Sequence, residues 1–569
     1  MVDRREWKVW YLKYYLLVLV TPLHTTHTAY IMYIPFSDYA LGLPKVTIPQ
    51  GTLQGSYKSS YNRRTFSAFE GIPFAKPPVG DLRFSPPQPA DGWKGVLNAD
   101  RTYTCQQYIP LPIVEGVQGQ EDCLYMNVYV PREKIEGNEN FDVVVHIHGG
   151  GFMIGSPKVM AGPDILMDRD IVYVNFNYRL NIFGFLSTED DVVSGNNGLK
   201  DQSMALQWVK DNIKYFGGNP DSITLTGMSA GAASVHFHYL SPLSKGLFHR
   251  GWAQSGSALV PWALTEKPLE KAKKLARYFD CGITSTQTMV DCLRKVDANS
   301  LAIALKTMAV YLKMAPITPF GPSVEKGSNP FLPDLPYRLL KEGRINDVPL
   351  VLSNTKDEAI FPIGILVALD LLEDVDEKWN IFGTYMMDCH DTVDKKRWKE
   401  VTTKVKQHFL KGNPLTSDVP TTIKFFTERL FLYDSEKTMR LQSAVGKSPV
   451  YFYLYKYIIQ LPPLWLGPKL GVSHSDDARL LYKMALGPDR FESEDEKMME
   501  LSLDFIATYA KTGVPTFKNT TWLPIEPGSD DLNVLTIYSP EKVVMEKVKQ
   551  LADTKFWNSL PIKENEKAI

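Results

Sequence analysis

The chain has no excess of charge of either sign: 63 Lys and Arg stand against 64 Asp and Glu in 569 residues, a formal net charge of −1. A nucleic-acid partner calls for a strongly basic face, so this balance argues against one. No run of 18 apolar residues occurs, so no segment reads as a membrane-spanning helix. Cysteine is scarce, with five residues and no CxxC pair, which disfavours a disulfide scaffold, a zinc ribbon and a thiol redox motif. No internal repeat, low-complexity tract or Pro/Gly-rich linker divides the chain. With 44% hydrophobic and 22% charged residues the make-up is globular, and disorder, collagen and coiled coil are disfavoured. The terminal KENEKAI carries neither a KDEL-type signal nor a greasy GPI tail.

The few cysteines are informatively placed. Cys105 and Cys123 lie 18 apart, Cys281 and Cys292 lie 11 apart, and Cys389 stands alone. Two local pairs and an odd thiol suit an exported protein; five reduced, buried thiols are the competing reading. Near the N-terminus, residues 14–20 (YYLLVLV) follow Arg4, Arg5, Lys8 and Lys13. A basic stretch before a short apolar run resembles a signal peptide, so residues 1–43 are read as a leader and the protein as secreted; a merely disordered leader is the alternative. In an exported chain Asn519-Thr520-Thr521 makes Asn519 a glycan acceptor.

Apolar β-branched runs alternate with helical periodicity. Residues 143–147 (VVVHI), 171–177 (IVYVNFN) and 222–226 (SITLT) read as buried strands, and 349–352, 450–457 and 534–538 as further ones. Leu199, Met204, Leu206, Val209 and Ile213 recur at helical spacing, and the GGNP at 217–220 stops that helix. Residues 230–240 form the next helix. This alternation implies an α/β fold with a large, mostly parallel mixed sheet covered by helices on both faces. The less regular, more helical stretch at about 259–346 reads as an inserted cap. One α/β domain over 44–560, followed by a tail at 561–569, accounts for the chain better than several small domains.

Gly227-Met228-Ser229-Ala230-Gly231 is a G-x-S-x-G motif. A sharp strand-to-helix turn strains the serine and exposes its hydroxyl at the C-terminal edge of a sheet, and the small flanking residues permit the bend. Chance supplies roughly 0.2 such matches in a chain of this composition, so context decides: the motif lies between the expected strand SITLT and the expected helix AGAASVHFHYL, where its mechanics require it. His148-Gly149-Gly150-Gly151-Phe152 follows the VVVHI strand some 80 residues earlier. Glycines let backbone N–H groups approach an oxyanion closely, so the amides of Gly150, Gly151 and Ala230 read as a three-donor oxyanion hole. A plain glycine turn is the bland alternative.

A serine of this kind needs an acid and then a histidine further along the chain. Of ten histidines, His390, His408 and His474 lie beyond residue 358. His408 belongs to a charged helical stretch (KVKQHFLK) and is expected to be solvated; His390 neighbours Cys389 in a polar segment. His474 sits in a loop, GVSHSDD, after the strand beginning at residue 450, well placed to reach the sheet edge. The acid is best placed at Glu358, in the loop after the 349–352 strand, with Asp357 an adjacent competitor that these considerations do not separate. Asp476 and Asp477 follow the histidine and fit the order badly. Two H-x-H pairs raise a metal reading. His236 and His238 diverge on a helix, and His146 and His148 have no evident third ligand, so a metal site is disfavoured.

Together these blocks resemble the type-B carboxylesterases of the cholinesterase-like α/β-hydrolase family. The likeness runs from about Lys45 toward the C-terminus and includes FEGIPFAKPPVGDLRF at 69–84, EDCLYMNVYV at 121–130, NYRLNIFGFL at 177–186, NGLKDQSMALQWVKDNIKYFGGNP at 197–220 and GVSHSDD at 471–477. The nearest groups are arthropod carboxylesterases, including the secreted and juvenile-hormone-esterase-like ones. The resemblance implies Ser229 as nucleophile, His474 as base and Glu358, not Asp357, as acid. It implies disulfides Cys105–Cys123 and Cys281–Cys292 with Cys389 free, no cofactor, a small-molecule ester substrate and a monomer or homodimer. Departures are Met228, where many relatives carry Glu and juvenile hormone esterases Gln, and Ser353 and Ala359, which replace glycines. The loop between Cys105 and Cys123 has no tryptophan to stack on a choline cation. The expected activity is therefore hydrolysis of uncharged carboxylic esters through an acyl-serine. The alternatives are a juvenile hormone esterase, an esterase that acylates and barely turns over (so sequestering esters or organophosphates), and a non-catalytic adhesion domain.

Overall fold

The computed structural model describes residues 42–110, 115–310, 315–462, 469–485 and 487–566. All but the last two residues of the expected leader lie outside these, as do the last three residues of the tail. Eleven strands form one sheet. In chain order they are β1 (Ser56–Ser59), β2 (Thr65–Pro73), β3 (Tyr125–Val130), β4 (Phe141–Ile147), β5 (Ile171–Phe176), β6 (Gly218–Met228), β7 (Arg250–Gln254), β8 (Leu350–Thr355), β9 (Val450–Tyr455), β10 (Leu532–Ile537) and β11 (Val543–Val548). Across the sheet they run β11-β10-β9-β8-β7-β6-β4-β5-β3-β2-β1. The strands from β5 to β10 are mutually parallel. Antiparallel strands flank this block on both sides.

Both faces are covered, which is why the central strands read as unbroken apolar runs. On β4, Val143, Val145 and Ile147 point into one apolar layer and Val144 into the other. The first layer holds Leu199, Leu206 and Val209 of α1 (Asn197–Asn212) and most of α2 (Ala230–Leu240). The second holds Met228, Trp252, Tyr453 and the inward face of the helix Ser493–Thr512. Helix α1 ends at Asn212, a 3-10 turn carries the chain to Phe216, and Gly217 at φ 74° reverses it into β6.

Two helical stretches interrupt the strand sequence. Between β7 and β8 lie Pro268–Tyr278, Thr286–Lys295, Ala298–Ala304 and Pro336–Lys341. Between β8 and β9 lies a longer series from Ile360–Ala368 to Tyr433–Val445, of which the sequence pattern marks only the charged helical stretch around His408. Disulfides join Cys105 to Cys123 and Cys281 to Cys292. Cys389 is free and buried, and burial pushes its thiol up to about 12, so it stays protonated and unreactive at neutral pH.

After β5 the chain crosses over β4 to form β6 on its other side. Strand order reverses at β4, and ligands of open α/β sheets collect in the crevice at the C-terminal ends of strands beside such a reversal. The HGGG segment leaves β4 there and Ser229 leaves β6 beside it.

Candidate active site

Ser229 joins β6 to α2 with φ 58° and ψ −123°, a strained conformation for a residue with a Cβ. Neighbouring bonds hold it: its N–H donates to the Gln254 carbonyl at 2.8 Å, and its carbonyl accepts from the Ala233 amide at 3.0 Å. The bend brings α2 against the end of β4 so closely that a Cβ on Gly231 would lie 2.0 Å from the Ile147 carbonyl oxygen. Only glycine fits there. The Ser229 side chain is half-buried, and its hydroxyl has no hydrogen-bond partner among the described residues.

The glycine turn after β4 lies directly alongside. A Cβ on Gly149 would come 3.1 Å from Ser229 Cβ. Gly150 and Gly151 adopt φ of 109° and 62°. The Gly150 carbonyl accepts from the amides of Met153 and Ile154, both at 3.0 Å, which closes the turn. Among the described residues the amides of Gly150, Gly151 and Ala230 donate to no protein acceptor. Three unengaged donors thus flank a hydroxyl, beside the positive end of α2.

Residues distant in the sequence brace this turn. Gln107 takes the Gly155 N–H on its side-chain oxygen at 2.8 Å and donates to the carbonyls of Gly155 and Cys105 at 3.0 and 2.9 Å. The turn is thereby tied to the Cys105–Cys123 loop. Thr318 donates to the Gly151 carbonyl at 3.1 Å, and Tyr178 to that of His148 at 3.1 Å. No local pattern marks Gln107 or Thr318 in the sequence, because their partners lie 48 and 167 residues away. His148 is buried with Nδ1 on the Gly149 carbonyl at 2.8 Å, and burial lowers its pKa to about 4. His146 is lowered to about 3 by burial and by His148. Both rings are neutral fillers of the core at neutral pH.

His474 Nδ1 lies 2.6 Å from Glu358 Oε2. The carboxylate is fully buried and is held from its other side, where Oε1 accepts from Asn354 Nδ2 at 3.0 Å and from the Thr355 amide at 2.8 Å. Asp357 points elsewhere. Its carboxylate accepts the Val472 amide at 3.1 Å and so holds the loop that carries His474. Phe361 and Phe431 pack on the imidazole with ring centroids 6.1 and 5.0 Å away. His474 Nε2 has no protein partner among the described residues. A short chain of bonds links this side of the site to Ser229. Gln254, whose carbonyl takes the Ser229 N–H, donates from its side chain at 3.3 Å to Asp477, three residues after His474. Asp477 also accepts from Tyr453 at 2.6 Å and Ser353 at 3.3 Å, and burial raises its pKa. Asp476 instead takes the Ser473 amide at 2.8 Å and pairs with Arg479 at 3.2 Å.

Among the described residues, His390, His408, His236 and His238 stand apart from this cluster. His390 lies 3.2 Å from Asp391 and stacks on Tyr385. His408, expected to be solvated, is 39% exposed, but it bonds Asp553 at 2.9 Å and stacks on Phe556 at 3.9 Å. The charged sequence around it concealed an apolar neighbour from the far end of the chain. His236 and His238 are buried on α2, where His238 bridges Ser244 and Gln202 at 2.6 and 3.0 Å. A strained hydroxyl, a carboxylate-held imidazole with one free nitrogen, and three free amides are the elements of acyl transfer.

Comparison with known proteins agrees with this chemistry. The model of the carboxylesterase family matches residues 43–557. Venom carboxylesterase-6 of Apis mellifera is 39% identical over 549 residues, covering 94% of this chain and 98% of that protein. The juvenile hormone esterase of Tribolium castaneum is 35% identical over 570 residues, covering 93% and 95%. Among solved structures, juvenile hormone esterase from Manduca sexta with OTFP covalently attached superposes with a TM-score of 0.78 at 26% identity, over 91% of this chain and 99% of that one. On the span of the family match and the identity to these relatives, the chain belongs to the carboxylesterase family.

Proposed function

We propose that the chain hydrolyses uncharged carboxylic esters, with Ser229 as nucleophile, His474 as general base and Glu358 as the group that orients it. The observation that carries this reading is the 2.6 Å contact between His474 Nδ1 and a Glu358 carboxylate already holding two N–H donors. An imidazole protonated on Nδ1 presents a lone pair at Nε2, the form a base needs. In the reaction His474 takes the Ser229 proton as the oxygen attacks the ester carbonyl. Glu358 stabilises the imidazolium that forms. The oxyanion settles among the amides of Gly150, Gly151 and Ala230. The imidazolium then protonates the departing alcohol, and a water deprotonated by His474 releases the acid from the acyl-serine. No cofactor enters these steps. The open hydrogen bond at the Ser229 hydroxyl is usual for an unliganded site, where such bonds tighten in the substrate complex.

Preference for uncharged esters rests on the missing tryptophan between Cys105 and Cys123 and on the apolar rings beside His474. A narrower reading, hydrolysis of juvenile hormone, rests on the similarity to the Tribolium and Manduca esterases, although Met228 differs from the glutamine of that group. The hydrolase unit spans 44–560, with 259–346 as its cap. Two disulfides fit an extracellular protein, and Asn519, exposed in a turn, fits a glycan site. Ser229→Ala is expected to lower turnover of naphthyl acetate on the order of a thousandfold or more. Unchanged turnover in the pure variant would refute the assignment. An ester panel that includes juvenile hormone separates the general from the narrower reading.

A further inference from the structure

The helical run from Val419 to Val445 is interrupted once, by a π-helical turn at Glu428–Leu432. Its signature is the bond from the Tyr433 N–H to the Glu428 carbonyl, five residues back. Such a turn inserts one residue into an α-helix and costs hydrogen-bond geometry, and it is frequent at functional sites. Here all five residues are buried, and four have a partner in a different part of the molecule. Glu428 accepts from the Asp553 amide and from Trp557 Nε1, both at 3.0 Å. Arg429 donates to the Met387 carbonyl at 3.0 Å and to Glu564 at 2.9 Å. The Leu430 carbonyl accepts from Trp262 Nε1 at 3.0 Å. Phe431 lies 5.8 Å from the Trp262 ring and 5.0 Å from His474, tilted 41° to the imidazole. Just before the turn, Thr427 Oγ1 accepts the amide of Ala359, the residue after Glu358, at 3.0 Å.

The turn and the residue before it therefore touch the imidazole, through Phe431, and the backbone beside the acid, through Thr427. We propose that the turn is a positioning device for His474, with Phe431 as the positioning residue; this rests on His474 being the base. An unbroken α-helix would carry position 431 about 100° round the axis, away from the imidazole. The ring acts in two ways. It blocks rotation of the imidazole out of the Glu358 bond, and part of its face meets the imidazolium that forms as Ser229 attacks. Among the described residues, charged groups that bear on the imidazole include Glu358 at Nδ1 and Asp477 of its own loop. Glu428 and Arg429, although in the turn, are committed to the contacts named above.

The test uses purified full-length protein, with rates expressed per site titrated by diethyl p-nitrophenyl phosphate. In Phe431→Leu, kcat for p-nitrophenyl butyrate is expected to fall about three- to thirtyfold, the range of a lost cation–π contact. KM should stay within about twofold, as for an interaction made in the transition state. The acid limb of the pH profile of kcat/KM should move to lower pH, because the imidazolium has lost a stabilising neighbour. Phe431→Tyr should restore both rate and limb. If Phe431→Leu fails to fold, Phe431→Met, close in volume but without a ring, takes its place. A variant with lowered Tm but unchanged kcat per site and an unmoved limb would show the ring to be core packing and overturn the proposal. Should Ser229→Ala and Glu358→Gln themselves keep full activity, the assignment of the base falls, and this inference with it.

Discussion

The arrangement of donors around Glu358 decides what His474 can do. Asn354 and the Thr355 amide both donate to Oε1, so that position must remain an acceptor. In Glu358→Gln the amide oxygen would occupy it, and the NH2 group would face His474 Nδ1. That nitrogen would then have to accept, placing the ring proton on Nε2, where the proposed base needs a lone pair. Turnover should drop on the order of ten-thousandfold with the fold intact, the scale of a wrong-tautomer defect. Steady-state kinetics beside a circular dichroism spectrum checks this, and retention of activity within about tenfold would remove Glu358 from its role. This is also where residue types alone stopped short. Asp357 and Glu358 are adjacent acids in one loop, and only the folded chain turns one to the imidazole and the other to the Val472 amide.

Among the elements, those whose character is local were legible and those whose character is tertiary were not. Strands β4 and β5 could be read because sheet burial on both faces writes a continuous apolar run. Helix α2 was read with the bounds it has, Ala230–Leu240. Strand β7 (RGWAQ) was not, since its arginine, glycine and glutamine carry no strand signal and it is a strand only because β6 and β8 pair with it. The π-turn is likewise invisible in ERLFL. The turn at Ser229 could be read because its glycines are adjacent to it in sequence, and it yields a sharp test. Gly231→Ala places a methyl 2.0 Å from the Ile147 carbonyl oxygen, so α2 must retreat from β4. Overpacking of this kind costs about 1–3 kcal/mol, and the retreat also moves the Ala230 amide. Esterase activity should fall at least about tenfold per folded molecule, with a lower Tm in differential scanning fluorimetry. A variant of wild-type stability and activity would show that the elbow has slack the structure does not.

For the molecule as a whole, buried histidines couple stability to pH. His238 is neutral in the core, its pKa lowered to about 3 by burial, against about 6.5 when unfolded. Between those values the unfolded chain binds a proton that the folded chain refuses, so this group's contribution declines as pH falls below 6.5. Buried carboxyls oppose it: burial raises Asp476 to about 6, so its ionisation penalty disappears over part of the same window. A difference measurement isolates the histidine. Relative to His238→Gln, the wild-type protein should lose about 2 kcal/mol between pH 7 and pH 5, read from urea unfolding at the two values. Parallel pH dependences would show that His238 takes up a proton in the folded state.

One experiment bears most directly on acyl transfer at Ser229. The protein is mixed with p-nitrophenyl acetate, quenched in acid within the first turnover, digested and mapped by mass spectrometry. A single acetyl group should appear on the peptide containing Ser229, in step with a burst of p-nitrophenol, and be absent from Ser229→Ala. An acetyl group on a different residue, or rapid turnover with no acylated peptide at any quench time, would contradict the mechanism.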